Sequence, residues 1–375
     1  MSLSLRVACS PGERRVALLE GEILLDYALE RPSAPDGVGD LHRGRIAAVV
    51  PAMAGAFVAL EGGIQGFLPD SEGARGRAEG ETVGVRVTRA AQGGKGPRLT
   101  ARLDDANAAR VGSGAPALLT RGPDAVVRLA TRHPTAEILV DDAAVLAGLR
   151  RDPALAARSR AVPRAFDADL EATVEALGEA EVALPSGGRL SIHPTPALVA
   201  IDVDAGSGIA ARDGKTAQHV ALNRAVLPPL AAQIRLRNLS GAILVDLAGL
   251  SAKRRAAFAG ALTEALAADP LRPRLLGFTA LGLAEIVRPR IHPPLHELLA
   301  GPHAAGLRAL RMIAAEIPAD PRRLPALRAA PAVVTALQQD SVALEEMAHR
   351  AGRRLTLRSD PSLPATAWIL EADHG

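Results

Sequence analysis

Two aspartates in the middle of this chain end apolar runs. Asp202 follows Leu-Val-Ala-Ile and Asp246 follows Ala-Ile-Leu-Val, each the pattern of a buried strand that stops on a carboxylate. The interval between them is long enough for a helix to return the chain, so the two strands can lie side by side with both carboxylates at one edge. Paired carboxylates suit Mg²⁺, a hard cation that prefers oxygen ligands and keeps several waters. A cation held there can polarise a phosphodiester, supply hydroxide and stabilise a leaving oxygen. Either aspartate alone is as readily a strand or turn cap, and only the pair points to a metal.

Other candidate chemistry is weaker. The stretch 206–216, GSGIAARDGKT, sits between a strand and a helix as a phosphate-binding loop would, but Gly208 and Gly214 are spaced one residue too far apart. Ile209 also stands where that loop needs a glycine, so Lys215 reads as a solvated loop residue or one near an active site. Cys9 is the only cysteine, which excludes an intramolecular disulfide and a zinc site built on paired thiolates. His292 and His296 flank Pro293 and Pro294, a spacing that argues against one helix presenting both to a metal. No zinc is expected.

The elements that must position the aspartates emerge from the pattern on either side. Three alternating runs, 5–8, 16–19 and 23–27, read as an antiparallel meander. The segment 31–40, rich in Pro, Gly and Asp, marks a boundary. Five strand candidates follow, at 43–50, 56–60, 63–68, 83–89 and 98–103, and short strands with Gly-rich turns suit a small closed barrel of the OB type. From about residue 117 helix and strand patterns alternate, with a long helix over 216–237 and a second over 252–268, which predicts a layered α/β domain. Beyond 302 the pattern is helical and ends in two strands, 355–357 and 368–370.

Composition sets limits on the whole. The chain of 375 residues, 48% hydrophobic, can bury several cores. No apolar run reaches the roughly 18 residues needed to span a bilayer, and the N-terminus lacks the apolar core of a secretory signal, so the chain reads as cytoplasmic and not membrane-bound. The pI of about 9.6 resembles that of a nucleic-acid binder. Only three of the forty-four basic residues are lysine (Lys95, Lys215, Lys253), a bias that a GC-rich genome explains equally well.

The stretches 183–208, 230–250 and 275–290 resemble, in order and spacing, the catalytic region of the ribonuclease E/G family, in a short form similar to ribonuclease G. The likeness implies that Asp202 and Asp246 bind the catalytic Mg²⁺, with Mn²⁺ able to substitute. Two positions depart from the family: its Asn after the first metal ligand is Asp204 here, a third candidate metal residue whose added charge adjusts the site, and its second acid after Asp246 is Gly249. The stretches 41–73 and 85–103 resemble the family's OB fold of the S-one type. This implies RNA contacts at Phe57, Phe67 and Lys95, although Phe57, between Ala56 and Val58, reads equally as barrel core. Arg235 and Arg237 are candidates to neutralise phosphate, or to pair within the fold.

The implied architecture is multidomain α/β: a ribonuclease-H-like domain (1–35 and 117–180) interrupted by the OB fold (36–103), then a deoxyribonuclease-I-like catalytic domain (181–300) and a small C-terminal domain (301–375). The implied activity is hydrolysis of single-stranded RNA by Mg²⁺-activated water, in RNA processing or decay, by a chain that admits a homo-oligomer. The likeness lacks two family parts, a subdomain that recognises a 5′-monophosphate and a cysteine-based zinc link. A rival expectation, favoured by Asp204 and Gly249, is an RNA-binding protein that no longer cleaves and acts in RNA maturation or ribosome assembly.

Overall fold

The computed structural model describes residues 2–184, 187–204, 215–317 and 324–371, without the side chains of 215 and 216. The stretch 206–216 thus lies almost wholly outside the described residues. The strands in chain order are β1 (Leu3–Ser10), β2 (Glu13–Glu20), β3 (Ile23–Glu30), β4 (Leu41–Val50), β5 (Gly55–Ala59), β6 (Gln65–Pro69), β7 (Thr82–Arg89), β8 (Arg98–Thr100) and β9 (Ala117–Thr120). They continue with β10 (Glu137–Val140), β11 (Ser159–Ala161), β12 (Glu181–Ala183), β13 (Arg189–Pro194), β14 (Val199–Asp204), β15 (Gly241–Asp246), β16 (Arg274–Phe278), β17 (Ala284–Arg288), β18 (Ala326–Ala329), β19 (Leu357–Ser359) and β20 (Trp368–Glu371).

Two compact units form. One comprises Met1–Ala34, Ala125–Pro289 and Pro294–Gly375; the other comprises Pro35–Asp124 and Arg290–Pro293. The second unit is the barrel: β5, β6, β8, β7 and β4 pair in sequence and β4 closes on β5. Its core is small, with Ile46, Ala56, Val58, Leu68, Val85 and Leu99 pointing inward. Residues 117–120, which the sequence groups with the helix-and-strand region that follows, instead form β9 and pair antiparallel with β4.

Among the described residues the first unit holds three sheets. The N-terminal one runs β11-β10-β1-β2-β3, antiparallel across β1, β2 and β3 and parallel across β1, β10 and β11. A six-stranded mixed sheet runs β12-β13-β14-β15-β17-β16, and a three-stranded one runs β19-β18-β20. The central sheet exists because Ile192, Ile201, Val203, Ile243, Val245 and Ile286 alternate onto one face. There they meet Leu222, Val226, Leu230 and Ile234, the apolar stripe of the helix Lys215–Leu236.

The helix expected over 252–268 is two helices, Ala252–Ala256 and Ala259–Leu266. The break falls at 257 and 258, and Phe258 lies in the core with Leu262 and Leu266 at four-residue spacing, on the face that one straight helix would also give it. Among the described residues no helix is long and apolar enough to cross a membrane.

One buried ion pair pins the sheet that carries the aspartates. Arg288, at the end of β17, and Asp269 are each 3% exposed, and Arg288 Nε donates to Asp269 Oδ2 at 2.7 Å. Arg288 Nη1 donates to Asn238 Oδ1 at 2.6 Å and to the Leu239 carbonyl at 3.1 Å, tying the lead-in of β15 to β17. Removing one partner of such a pair strands a desolvated charge, so Asp269→Ala should lower stability by about 3–5 kcal/mol. Urea unfolding checks this, and a shift below ~1 kcal/mol would show that the pair is solvated in solution.

Candidate functional site

The helix Lys215–Leu236 is the crossover that lets β14 and β15 pair in parallel, and their register sets Asp202 directly opposite Asp246. Paired strands lie about 4.8 Å apart, and register partners share a face, so the two carboxylates stand side by side. Asp204, two residues on, shares that face too, while Ile201, Val203, Ile243 and Val245 face the core. The Asp202 carboxyl is pushed above the usual carboxylate range, first by lost hydration and then by facing Asp246 and Asp204. Because Asp202 still reaches solvent, the repulsion is the part that a bound cation would relieve.

Two arginines that sequence reasoning missed hold this cluster. Arg255 Nη1 lies 2.5 Å from Asp246 Oδ1, with the Arg255 side chain largely buried. Arg189, opposite Asp204 across β13, places Nη2 at 3.1 Å from Asp204 Oδ2. Both arginines lie outside the apolar runs that drew attention to the aspartates. Asn223, fully buried in the long helix, was also missed; its Nδ2 donates to the Ala248 carbonyl at 2.8 Å, and the Ala248 N–H donates to its Oδ1 at 2.9 Å. That two-point bond fixes the turn leaving Asp246, and its only signal in the sequence is one amide among the apolar positions of that helix.

The donor set suits a hard divalent cation: oxygen only, negative and self-repelling. Among the described residues no three metal-ligating side chains converge, so the paired carboxylates would supply part of a shell and water the rest, as Mg²⁺ accepts. Burial first, and Asp141 next, push the Cys9 thiol up to about 12, which disfavours the thiolate form that binds metals.

In the barrel unit, alternation buries Ala56, Val58 and Leu68 and turns Phe57 and Phe67 outward. Phe57 therefore belongs to the outer face and not to the core. The two rings are register partners and meet edge to face, with centroids 5.7 Å apart and planes at 65°. Gly55 is needed beneath them, because a Cβ there would lie 2.6 Å from the Phe67 ring. Lys95 is exposed in the turn between β7 and β8, where it pairs with Gln92. Such a face can stack unpaired bases.

Arg235 and Arg237 are committed to the fold. Arg235 Nε donates to the Leu25 carbonyl at 2.8 Å. Arg237 is 5% exposed and its guanidinium is bonded to Gln233 Oε1 and to the Glu179 and Ala176 carbonyls. Of the two roles the sequence allowed them, the structure shows bonding within the fold. The described residues do not include the Lys215 side chain.

The sequence signature of the ribonuclease E/G family matches residues 98–291, from the last barrel strand through the sheet that bears the aspartates. The chain belongs to the ribonuclease E/G family. It is 24% identical to ribonuclease G of Escherichia coli over 404 positions, covering 80% of this chain and 82% of that protein. It is 26% identical to ribonuclease E of Escherichia coli over 390 positions, covering 76% of this chain but only 36% of that protein. Ribonuclease E of a Nostoc species is 38% identical over 120 residues. Alignments longer than the 375-residue chain that use only part of it mean that these relatives carry segments with no counterpart here.

Membership in the ribonuclease E/G family makes the departure at Gly249 a structural question. Gly249 has φ +57°, and a Cβ there would lie 2.2 Å from His219 Cε1 and 2.4 Å from its Nδ1. The buried imidazole of His219 fills the space that a side chain at 249 would need. Gly249→Asp alone should cost about 1–3 kcal/mol through overpacking. In a double-mutant cycle with His219→Ala the two changes should couple favourably, since removing the ring frees the space. Additive urea midpoints would exclude the ring as the obstacle.

Proposed function

We propose that this chain is an endoribonuclease that cleaves single-stranded RNA with the help of a divalent cation, in RNA processing or decay. The observation that carries the reading is the pairing of Asp202 with Asp246, two carboxylates in register on one sheet face inside the segment that matches the family. Asp202 and Asp246 would hold Mg²⁺ or Mn²⁺, which when bound supplies a polarised phosphodiester, an acidified water and charge neutralisation of the leaving oxygen.

The residues of the chain do the positioning. Arg255 stands beside one oxygen of Asp246 as its ion-pair partner and offsets part of the negative charge of the cluster. Arg189 draws Asp204 towards β13, so its charge strengthens the field at the site without needing to become a ligand. Asn223 keeps the turn after Asp246 in one conformation, and the outward pair Phe57 and Phe67 offers stacking platforms for unpaired bases.

The architecture fits the same reading. An antiparallel trio continued by two parallel strands supports a ribonuclease-H-like assignment of the N-terminal sheet. The mixed sheet bearing the carboxylates supports a deoxyribonuclease-I-like assignment of the catalytic region.

Asp202→Asn or Asp246→Asn should abolish metal-dependent cleavage of an unstructured RNA while leaving RNA affinity within about twofold, because the aromatic platforms sit in a separate compact unit. Cleavage at the parental rate by either variant would remove the metal-site assignment, and RNA binding that never leads to cleavage with Mg²⁺ would replace the nuclease reading with an RNA-binding one. Asp202→Asn should also raise the Tm of the metal-free protein near neutral pH. The sign follows from the upward shift of the Asp202 carboxyl: ionisation costs more in the folded than in the unfolded chain, so above the raised value the charge is a net destabiliser.

Between β8 and β9 the chain has sixteen residues and one five-residue helix, Asp105–Ala109, too little for a folded pocket that holds a terminal phosphate. The enzyme is therefore expected to enter RNA internally. kcat/KM on one short RNA should differ by less than about threefold among 5′-monophosphate, 5′-hydroxyl and 5′-triphosphate ends. A tenfold preference for monophosphate, about 1.4 kcal/mol, would reveal a sensor elsewhere.

A further inference from the structure

The outer face of the barrel carries a line of register partners that crosses four adjacent strands. Phe57 on β5 faces Phe67 on β6, Phe67 faces Arg98 on β8, and Arg98 faces Arg89 on β7. Register partners share a face, so two aromatic rings and two guanidinium groups form one row about 14 Å long, three strand spacings. Ala56, Val58, Leu68 and Leu99, which alternate with Phe57, Phe67 and Arg98, are all in the core and fix those three as outward; the bulge at Thr88 then takes Arg89 off the face of the buried Val87 and sets it opposite Arg98. Arg290 joins its basic end, because the Ala90 N–H donates to the Ile291 carbonyl at 2.9 Å and seats 290–293 against the end of β7.

This end of the row is unfavourable as it stands. Like charges directly opposite on paired strands repel, and the Arg89 guanidinium is held below its ordinary value by burial first, then by Arg98 and Arg290. Among the described residues neither Arg89 nor Arg98 is paired with a carboxylate. A guanidinium pair without an acid is matched by an anion with several acceptor oxygens, which is the chemistry of phosphate.

We propose that Arg89 and Arg98, flanked by Arg290, form a phosphate subsite that seats the backbone of a single strand whose neighbouring bases stack on Phe67 and Phe57, so that the strand runs across the barrel strands and not along them. The subsite rests on the reading of the chain as a binder of single-stranded RNA and adds to that reading the path of the strand and the residues that grip it. Lys95, in the turn that joins β7 to β8, lies on the same route.

The test is fluorescence anisotropy of a labelled short oligouridylate with the full chain at several salt concentrations, with thermal melts to verify folding. Arg89→Gln with Arg98→Gln should weaken binding at least tenfold. It should also flatten the plot of log affinity against log salt by about 0.7 for each phosphate that the variant no longer neutralises. Arg89→Lys with Arg98→Lys should keep most of the slope, since a point charge still neutralises phosphate, and Phe57→Ala with Phe67→Ala should weaken binding with the slope unchanged. An unaltered affinity and slope in a folded Gln variant would overturn the subsite while leaving RNA binding in place. Failure of the wild-type chain to bind the oligonucleotide at low salt would overturn the subsite together with the reading beneath it.

Discussion

Parallel strands cannot be joined by a tight turn, and so the pairing of β14 with β15 depends on the 22-residue helix Lys215–Leu236 and on how that helix is held. A slip of one residue in this pairing would turn one carboxylate towards the core and separate it from its partner. The apolar stripe of the helix, the Arg288–Asp269 pair at the lead-in of β15 and the Asn223 amide at its exit all act against that slip. Much of the packing in this region can therefore be understood as maintaining one register between two short strands.

The same kind of tension recurs in the barrel with the opposite sign. Asp202 faces Asp246 in one unit, and Arg89 faces Arg98 in the other. Each juxtaposition lowers stability in the free protein, and each would be relieved by a ligand of opposite charge, a cation at the first and a phosphate at the second. Arg255 and Arg189 offset part of the first, beside Asp246 and Asp204, whereas neither Arg89 nor Arg98 is paired with a carboxylate among the described residues; strained ionisable groups of this kind are enriched at functional sites. Arginines elsewhere in the chain show the contrast: Arg237 and Arg288 are saturated by carbonyls, amides or carboxylates of the fold and have nothing left to offer a ligand.

The departure at Gly249 illustrates how a motif position can change without leaving a void. The left-handed backbone there and the imidazole of His219 against it form one unit, so a side chain restored at 249 without a change at 219 would meet a ring. The paired carboxylates are untouched by the glycine at 249, because Asp246 lies on the strand and Gly249 in the turn that Asn223 holds.

The alternation of apolar residues was enough to place the paired aspartates at strand ends, to outline the barrel strands and to mark the long crossover helix, since each is a local pattern read over a few residues. That the paired groups are carboxylates was equally legible from residue type. What the sequence left open at Phe57 only the closed barrel decided: Ala56, Phe57 and Val58 are all apolar, so alternation has no polar face to orient it, and the small barrel interior admits Ala and Val but turns the ring outward. Only the tertiary structure could commit Arg235 and Arg237 to distant carbonyls, join β9 to β4, bring His219 against Gly249, or line Arg98 and Arg89 up with two phenylalanines. Each of these depends on register between segments far apart in the chain, which is set by the summed packing of whole elements and leaves no mark at any single residue.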